Sequence, residues 1–158
     1  MVCSQGRRRR HFCACIRQGG ADLAMEYVKE WLPMLERKLL VNLCINPLTA
    51  VLGVNNGELL HNPYYFSLFK TVYQEGSAVL GMTNNAEVWE DVKQVCKQTE
   101  ANRSSMLNDL VQGMQTEVEA ICGYVLKRAG GEHRLPTVRL LYELIKGKEF
   151  ETRGRAAH

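Results

Sequence analysis

Three polar side chains recur at intervals of four residues in the apolar run RKLLVNLCINPLTAVLGVNNGELLHNP, which covers positions 37–63. They are Lys38, Asn42 and Asn46, called here the polar stripe, and every position between them is apolar. An α-helix would place all three on one side, because eight residues turn the direction by only about 80°. Burying such a stripe without partners is costly, so it indicates either a site or a solvent-facing surface. The spacing alone leaves both readings open.

Apolar residues recur at three- and four-residue steps along most of the chain, which is the period of an α-helix. The first helix is expected to run from Ala21 into the polar stripe. It should kink or stop at Pro47, because proline removes a backbone hydrogen-bond donor. Later helices are predicted to begin at capping residues. Their predicted starts are Asn62-Pro63, Asn84-Asn85, Ser104 or Ser105, and Pro136.

A long helix is expected from Ser104 or Ser105 through Val125 to the glycines at 130 and 131, where helices often end. No alternating pattern typical of strands occurs in the sequence. The predicted fold class is therefore all-α, with five or six helices.

The first twenty residues, MVCSQGRRRRHFCACIRQGG, differ in composition from the rest of the chain. They hold five arginines and no acidic residue, whereas residues 21–158 hold 15 basic and 17 acidic side chains. We expect residues 1–20 to be a disordered basic arm, a non-native or vestigial leader rather than a nucleic-acid-binding tail, and nucleic acid is not an expected partner. No metal site is predicted there, since Cys3, His11, Cys13 and Cys15 do not form two separated ligand pairs.

The length of 158 residues is enough for one domain with a hydrophobic core. No apolar run reaches the roughly 18 residues that span a bilayer, and no secretory h-region is present. No membrane association is predicted, and the cytoplasm is the expected location. Nothing indicates secretion, so the six cysteines are not expected to form a disulfide framework. Cys44, Cys96 and Cys122 lie in helical patterns and are expected to be buried thiols.

Four segments together resemble a known family. KLLVNLCINPLTAVLGVNNGELL, NRSSMLNDL, TEVEAICGYV and LPTVRLLYELIKGKE are similar, in order and spacing, to the C-terminal helical domain of 2-dehydropantoate 2-reductase, or ketopantoate reductase. The resemblance extends from about Ala21 to Glu149 and implies a fold like the C-terminal domain of 6-phosphogluconate dehydrogenase. The expected organisation is the arm at 1–20, this helical domain at 21–150, and a loose tail at 151–158.

The resemblance implies an NADPH-dependent reduction of 2-dehydropantoate to pantoate, a step towards pantothenate and coenzyme A. It assigns Lys38 as the catalytic lysine, a general acid that protonates the substrate's carbonyl oxygen. Such chemistry suits a lysine, because an ammonium both stabilises and protonates a developing alkoxide. The substrate, 2-dehydropantoate or a related 2-keto acid, would be held by Asn42, Asn46, Asn56 and Ser105.

The resemblance also assigns Glu117 to the cofactor or the substrate. From the residues alone, three of these positions have simpler explanations. Ser105 can be a plain helix cap, Glu117 a solvated helix residue, and Asn56 a turn residue. The chemistry of Ser105 nevertheless suits a carboxylate at a helix N-terminus.

The sequence departs from the family by having no GxGxxG, so the family's Rossmann domain has no counterpart in these 158 residues. The chain is expected to be a fragment, one half of a split enzyme with a separate Rossmann domain, or a truncated product, and inactive alone. The alternative function is a non-catalytic helical module that binds another protein. In either case an uncovered apolar surface is expected to produce a homo-oligomer.

Overall fold

The computed structural model describes the backbone of residues 21–130 and 134–156, and side chains within 31–130 and 134–152. The basic arm at 1–20 lies outside the described residues, and so do the predictions of disorder and ligands made for it. Residues from Arg37 onward form the compact unit that holds the core, and the described chain before Arg37 is the first half of one helix.

Helices account for all regular structure in the described residues, and no strand occurs among them. This confirms the all-α prediction. The described residues form seven α-helices and one π-helix, more than predicted, because a single-turn helix follows the first one and a long predicted helix is divided. The elements are α1 Ala21–Leu52, α2 Glu58–His61, α3 Pro63–Val79, α4 Ala86–Gln98, α5 Ser105–Val111, the π-helix Glu119–Gly123, α6 Tyr124–Ala129 and α7 Pro136–Ala156.

The core is built on one face of α1, where Leu40, Leu43 and Cys44 are fully buried. This face packs closely against α3 at Gly76. A Cβ atom added to Gly76 would lie 2.5 Å from Leu43 Cδ2 and 2.9 Å from Leu40 Cδ1. The two helices therefore approach to a distance that only glycine permits without rearrangement. On its other sides α3 contacts α2, α6 and α7.

Side-chain caps begin the helices where the sequence predicted them. The Asn62 carboxamide oxygen accepts from the backbone N–H groups of Tyr64 and Tyr65, and Pro63 occupies the first helical position. Asn85 caps α4 in the same way, accepting from Val88. Each of these bonds satisfies a donor that the first helical turn leaves unpaired.

The start of α7 is capped from a distance. Both carboxylate oxygens of Glu75, on α3, accept from backbone N–H groups at the start of α7, those of Thr137 and Val138, at 3.0 and 2.9 Å. A carboxylate at a helix N-terminus is favourable to the helix dipole as well as to the unpaired donors. This contact fixes α7 against α3, a pairing that local sequence patterns do not reveal.

Two helix boundaries differ from the sequence predictions. α1 does not stop at Pro47 but continues to Leu52, because the buried surroundings of residues 47–50 hold the last turn in place. The long helix expected from Ser104 or Ser105 to Gly130 is interrupted after Val111. Gly113 there adopts a φ of +71°, and the Met114 N–H bonds to the Asp109 carbonyl, which closes α5.

A loose tail was expected at residues 151–158, but α7 remains helical as far as Ala156. The Thr152 hydroxyl donates to the Lys148 carbonyl one turn earlier, and the segment is rich in good helix formers. The helix end predicted at Gly130 is confirmed, since this glycine follows α6 directly and has a φ of +60°.

We predict that Gly76→Ala lowers the free energy of unfolding by about 1–2 kcal/mol. The new methyl group overpacks the α1–α3 contact, and the gain in helix propensity offsets only part of that cost. Gly147→Ala is the matched control in α7, where an added Cβ meets no atom within 4 Å. It should stabilise by about 0.5–1 kcal/mol. Urea unfolding measures both, and a stabilising Gly76→Ala would show that the helices are not in close contact.

Candidate functional site

The polar stripe lies on a side of α1 that is open to solvent at Lys38 and becomes buried towards the end of the helix. Lys38 is exposed, and Asn42 and Asn46 are half-buried. The stripe continues one step beyond the sequence prediction, to Thr49, whose side chain is fully buried. Thr49 follows Lys38 by eleven residues, which returns to within about 20° of the same direction on an α-helix. The stripe therefore leads from solvent into the protein interior.

At its buried end the stripe meets the start of α5. The Thr49 and Ser104 hydroxyl oxygens are hydrogen-bonded at 2.7 Å, and Thr49 Oγ1 lies 2.9 Å from the Ile45 carbonyl oxygen. Ser104 Oγ also accepts from the Leu107 N–H at 3.2 Å, so Ser104 is the N-cap of α5. Ser105, the next residue, is exposed. The structure thus resolves the alternative between the two serines: Ser104 caps the helix and leaves the Ser105 side chain uncommitted to the cap.

Asn56 is part of a loop that is tied to the segment after α4. Its backbone N–H donates to the Asn102 carbonyl at 3.0 Å, and its side-chain Nδ2 donates to Thr99 Oγ1 at 2.9 Å. The Cys96 thiol donates to the Asn56 carbonyl at 3.0 Å. The side chain is 6% exposed, and its Oδ1 has no hydrogen-bond partner among the described residues. Asn56 therefore has a structural role here, and its substrate contact stays a prediction.

Glu117 precedes the π-helix in an irregular segment and is exposed, so it does not lie on a solvated helix face as its simpler explanation required. Within the described part of the chain, no hydrogen bond or ion pair joins its side chain to the polar stripe. Its neighbour Thr116 is anchored from α7: Glu149 Oε1 accepts from both the N–H and the hydroxyl of Thr116, each at 2.8 Å. The position of Glu117 is therefore set by a buried carboxylate thirty-two residues later in the sequence.

Burial of Glu149 raises the pKa of its carboxyl, but this effect is outweighed by hydrogen bonds from Thr116 and by Lys146, so the pKa is lowered. The Lys146 Nζ lies 3.2 Å from Glu149 Oε2. An ionised carboxylate that accepts several bonds is the favoured form. Glu149 thus holds the segment before Glu117 as an anion.

Sequence reasoning missed Thr49, Ser104 and Glu149 as residues that organise the site. A signal for Thr49 existed, since it follows Asn42 by seven residues and so falls on the face of the polar stripe. For Glu149 there was none, because its partner is distant in sequence and its neighbours follow an ordinary amphipathic pattern.

The three described cysteines are free and buried, as expected. Burial raises the pKa of Cys96 to about 11 and that of Cys122 to about 12, and it raises the pKa of Cys44 further. Thiols in this state are poor nucleophiles. They pack as small apolar groups and are not candidates for catalysis.

A cleft of about 520 Å³ lies between α3 and α4, lined by Lys70, Tyr73 and Trp89 among others. It contains none of the six residues predicted for the site. Within the described ranges no three His, Cys, Asp or Glu side chains form a possible metal site. None of the described helices is long and apolar enough to cross a membrane.

The fold and site define a helical domain with a lysine–amide stripe whose inner end is bonded to a serine-capped helix. Comparisons with known proteins show which family has this domain. The profile described as "Ketopantoate reductase PanE/ApbA C terminal" matches residues 30–149. The chain therefore belongs to the ketopantoate reductase family and corresponds to its C-terminal domain.

A relative from Bacillus subtilis (strain 168), named 2-dehydropantoate 2-reductase, is 48% identical over 134 residues, which are 84% of this chain and 45% of the relative. A crystal structure of the probable B. subtilis enzyme superimposes with a TM-score of 0.73, covering 75% of this chain and 41% of that chain. A Staphylococcus aureus ketopantoate reductase described as dimeric, 24% identical, shares the fold with a TM-score of 0.67, covering 77% of this chain and 44% of that one. The chain thus spans less than half the length of these relatives.

We predict that Glu149→Gln lowers the free energy of unfolding at pH 7 by about 1–2 kcal/mol. The substitution removes the charge of a buried carboxylate that Thr116 and Lys146 stabilise. A lowered pKa in the folded state stabilises at pH values above the unfolded pKa, near 4.5, and that gain is lost as the pH falls through the folded value. The difference from wild type should therefore shrink below about pH 4.

Glu143→Gln is the control, because Glu143 is exposed and lies 3.9 Å from Arg139 Nη1, a pair worth little. Chemical unfolding at several pH values measures both variants. A Glu149→Gln effect that is the same at pH 7 and pH 3.5 would show that packing, and not charge, is what the glutamate contributes.

Proposed function

We propose that this chain is the substrate-binding domain of an NADPH-dependent 2-dehydropantoate 2-reductase, acting in the cytoplasm on the route to pantothenate and coenzyme A. The observation that supports this most is the polar stripe on α1, exposed at Lys38 and half-buried at Asn42 and Asn46, in a chain that belongs to the ketopantoate reductase family. The three stripe residues are available for a ligand, because their side chains are exposed or half-buried.

Lys38 is the proposed general acid. Reduction of a ketone places negative charge on the carbonyl oxygen, which must then gain a proton. An ammonium group beside that oxygen stabilises the charge and supplies the proton. Lys38 is exposed at the outer end of the stripe, and a substrate that approaches α1 from solvent can reach it.

Asn42 and Asn46 are the proposed ligands of the remaining substrate oxygens. Each carboxamide offers two donors and one acceptor, which suits the hydroxyl and carboxylate groups of a hydroxy-keto acid. Ser105 is the proposed carboxylate contact. α5 has only seven residues, so this assignment depends on the Ser105 hydroxyl and not on a helix dipole. Asn56 is the remaining proposed substrate residue, and its unpaired Oδ1 is buried, so it can meet a substrate only after a rearrangement of its loop.

The described residues do not fit a dinucleotide on their own. They include no strand, the sequence has no GxGxxG loop, and Glu117 is a single exposed acid. We therefore propose that a separate nucleotide-binding domain supplies the nucleotide. In that arrangement Glu117 would face the cofactor or the substrate from the segment anchored by Glu149.

A second candidate function, a protein-binding module, is favoured by apolar side chains at the surface. Leu140 and Leu144 lie one turn apart on α7 and are 58% and 42% exposed. On the first half of α1, Met34 and Leu35 are each 54% exposed. Apolar surface of this kind is often covered in a complex. We propose that a second copy covers part of it, since the S. aureus relative is described as dimeric.

We predict that Lys38→Ala lowers kcat about 100-fold or more in the presence of a nucleotide-binding domain, which is the usual scale for loss of a general acid. The assay follows NADPH oxidation that depends on 2-dehydropantoate, with the nucleotide-binding half of the B. subtilis relative added or fused. Lys97→Ala, at an exposed position on α4, should leave kcat unchanged.

The 158-residue chain without that domain should show no turnover. Steady turnover by the purified chain alone would contradict the proposed need for a second domain. A reconstituted Lys38→Ala enzyme with full kcat would remove Lys38 from the mechanism.

We predict that the chain self-associates. Light scattering over a tenfold concentration range should give a mass above the 17.9 kDa of one chain. Leu140→Glu with Leu144→Lys should shift that mass towards the monomer if α7 forms the contact, because charges are costly in an apolar interface. The control pair is Glu143→Lys with Lys148→Glu, at exposed positions of the same helix. A constant monomer mass for the wild type would contradict the prediction.

A further inference from the structure

We propose that Thr49 is a positioning residue for substrate binding, which acts by fixing Ser104 and thereby the hydroxyl of Ser105. This inference deepens the proposed function and rests on it. It assigns a role to a side chain that bonds no predicted substrate-binding side chain, although its hydroxyl also lies 3.1 Å from the backbone carbonyl oxygen of Asn46.

Thr49 lies on the same face of α1 as the polar stripe, about 16 Å along the helix axis from Lys38 and about 4.5 Å from Asn46. Its side chain is fully buried, whereas Lys38 is exposed. A threonine in a helix can satisfy its hydroxyl with the carbonyl four residues earlier, and Thr49 does so with Ile45 at 2.9 Å. That local bond does not require the second one.

The second bond, at 2.7 Å to Ser104 Oγ, joins residues 55 positions apart. It connects the helix that carries the stripe to the helix that carries Ser105. Each hydroxyl has one proton, which is enough for a bond between the two hydroxyls and for a bond from the pair to the Ile45 carbonyl. Ser104 Oγ also accepts from the Leu107 N–H. Thr49 is fully buried and Ser104 is only 5% exposed, so water competes little for the hydrogen bond between them.

The Ser104 hydroxyl is thereby fixed by two hydrogen bonds, one with Thr49 and one from the Leu107 N–H. Ser105 follows it directly, so the backbone that sets the direction of the Ser105 hydroxyl is fixed relative to Asn46. A second connection supports the same geometry: the Gly57 N–H donates to the Glu100 carbonyl at 3.0 Å, in the segment that leads to Ser104. Two polar groups at a set separation are what a small keto acid needs in order to bind in one orientation.

The test uses the 158-residue chain and 2-dehydropantoate as the probe, with affinity measured by NMR titration of backbone amides. Thr49→Val keeps the shape of the side chain and removes the hydroxyl, and it should weaken binding about tenfold. Thr49→Ser restores the hydroxyl and should return the affinity to within about twofold. Thr71→Val is the matched control, because Thr71 makes the same bond to a carbonyl four residues earlier, that of Ser67.

A double-mutant cycle separates positioning from general damage. If Thr49 acts through Ser105, then Thr49→Val should change the affinity little in a Ser105→Ala background. Hydrogen exchange provides a readout that needs no ligand: Thr49→Val should speed exchange at the Leu107 amide by about fivefold or more. Ser104→Ala removes the link from the other side and should behave like Thr49→Val, which covers the case in which that variant does not fold.

The outcomes distinguish this proposal from the proposed function. Faster exchange at Leu107 with unchanged affinity, while Ser105→Ala weakens binding, would overturn the role of Thr49 and leave the function standing. Additive effects of Thr49→Val and Ser105→Ala would also overturn it. No binding by wild type, or full affinity in Ser105→Ala and Lys38→Ala alike, would refute the proposed function, and the positioning role with it.

Discussion

The close contact between α1 and α3 at Gly76 is the constraint on which the rest of the domain depends. Because Leu40 and Leu43 fill the space that a side chain at position 76 would occupy, one face of α1 is committed to the core. Near Lys38 the same helix also has an exposed side, and the polar stripe begins there. A central helix with a buried side and a polar side holds the stripe rigidly, and rigid elements position ligand-binding groups better than loops.

The change in burial along the stripe follows the energetic cost of each group. An ammonium is expensive to bury without a counter-charge, and Lys38 is exposed. A hydroxyl is inexpensive to bury when it is hydrogen-bonded, and Thr49 occupies the fully buried end. One end of the stripe is consequently anchored while the other is open to a ligand. An anchored inner end and an open, charged outer end would suit a domain whose outer end meets another protein surface.

Local patterns in the sequence predicted the helices and their starts, since Asn62, Asn85 and Pro136 act through neighbours within three residues. They did not predict the break after Val111, although the Gly113 cap that closes α5 there is local. They could not predict the continuation of α1 beyond Pro47, which depends on the buried surroundings of residues 47–50. The site divides in the same way. The stripe was visible because it has helical spacing, but its bond to Ser104 was not, because 55 residues separate the partners.

Glu149 connects the end of the domain to its site. The family profile ends at residue 149, the side chain there is 5% exposed, and the next residue, Phe150, is 80% exposed. Beyond that point α7 continues as a helix without adding described side chains to the core. Among the described side chains, the last buried one is therefore the Glu149 carboxylate, which anchors Thr116, the residue directly before Glu117. A domain cut one turn earlier would keep most of its apolar core but lose this anchor. The position of Glu117 therefore depends on the end of α7.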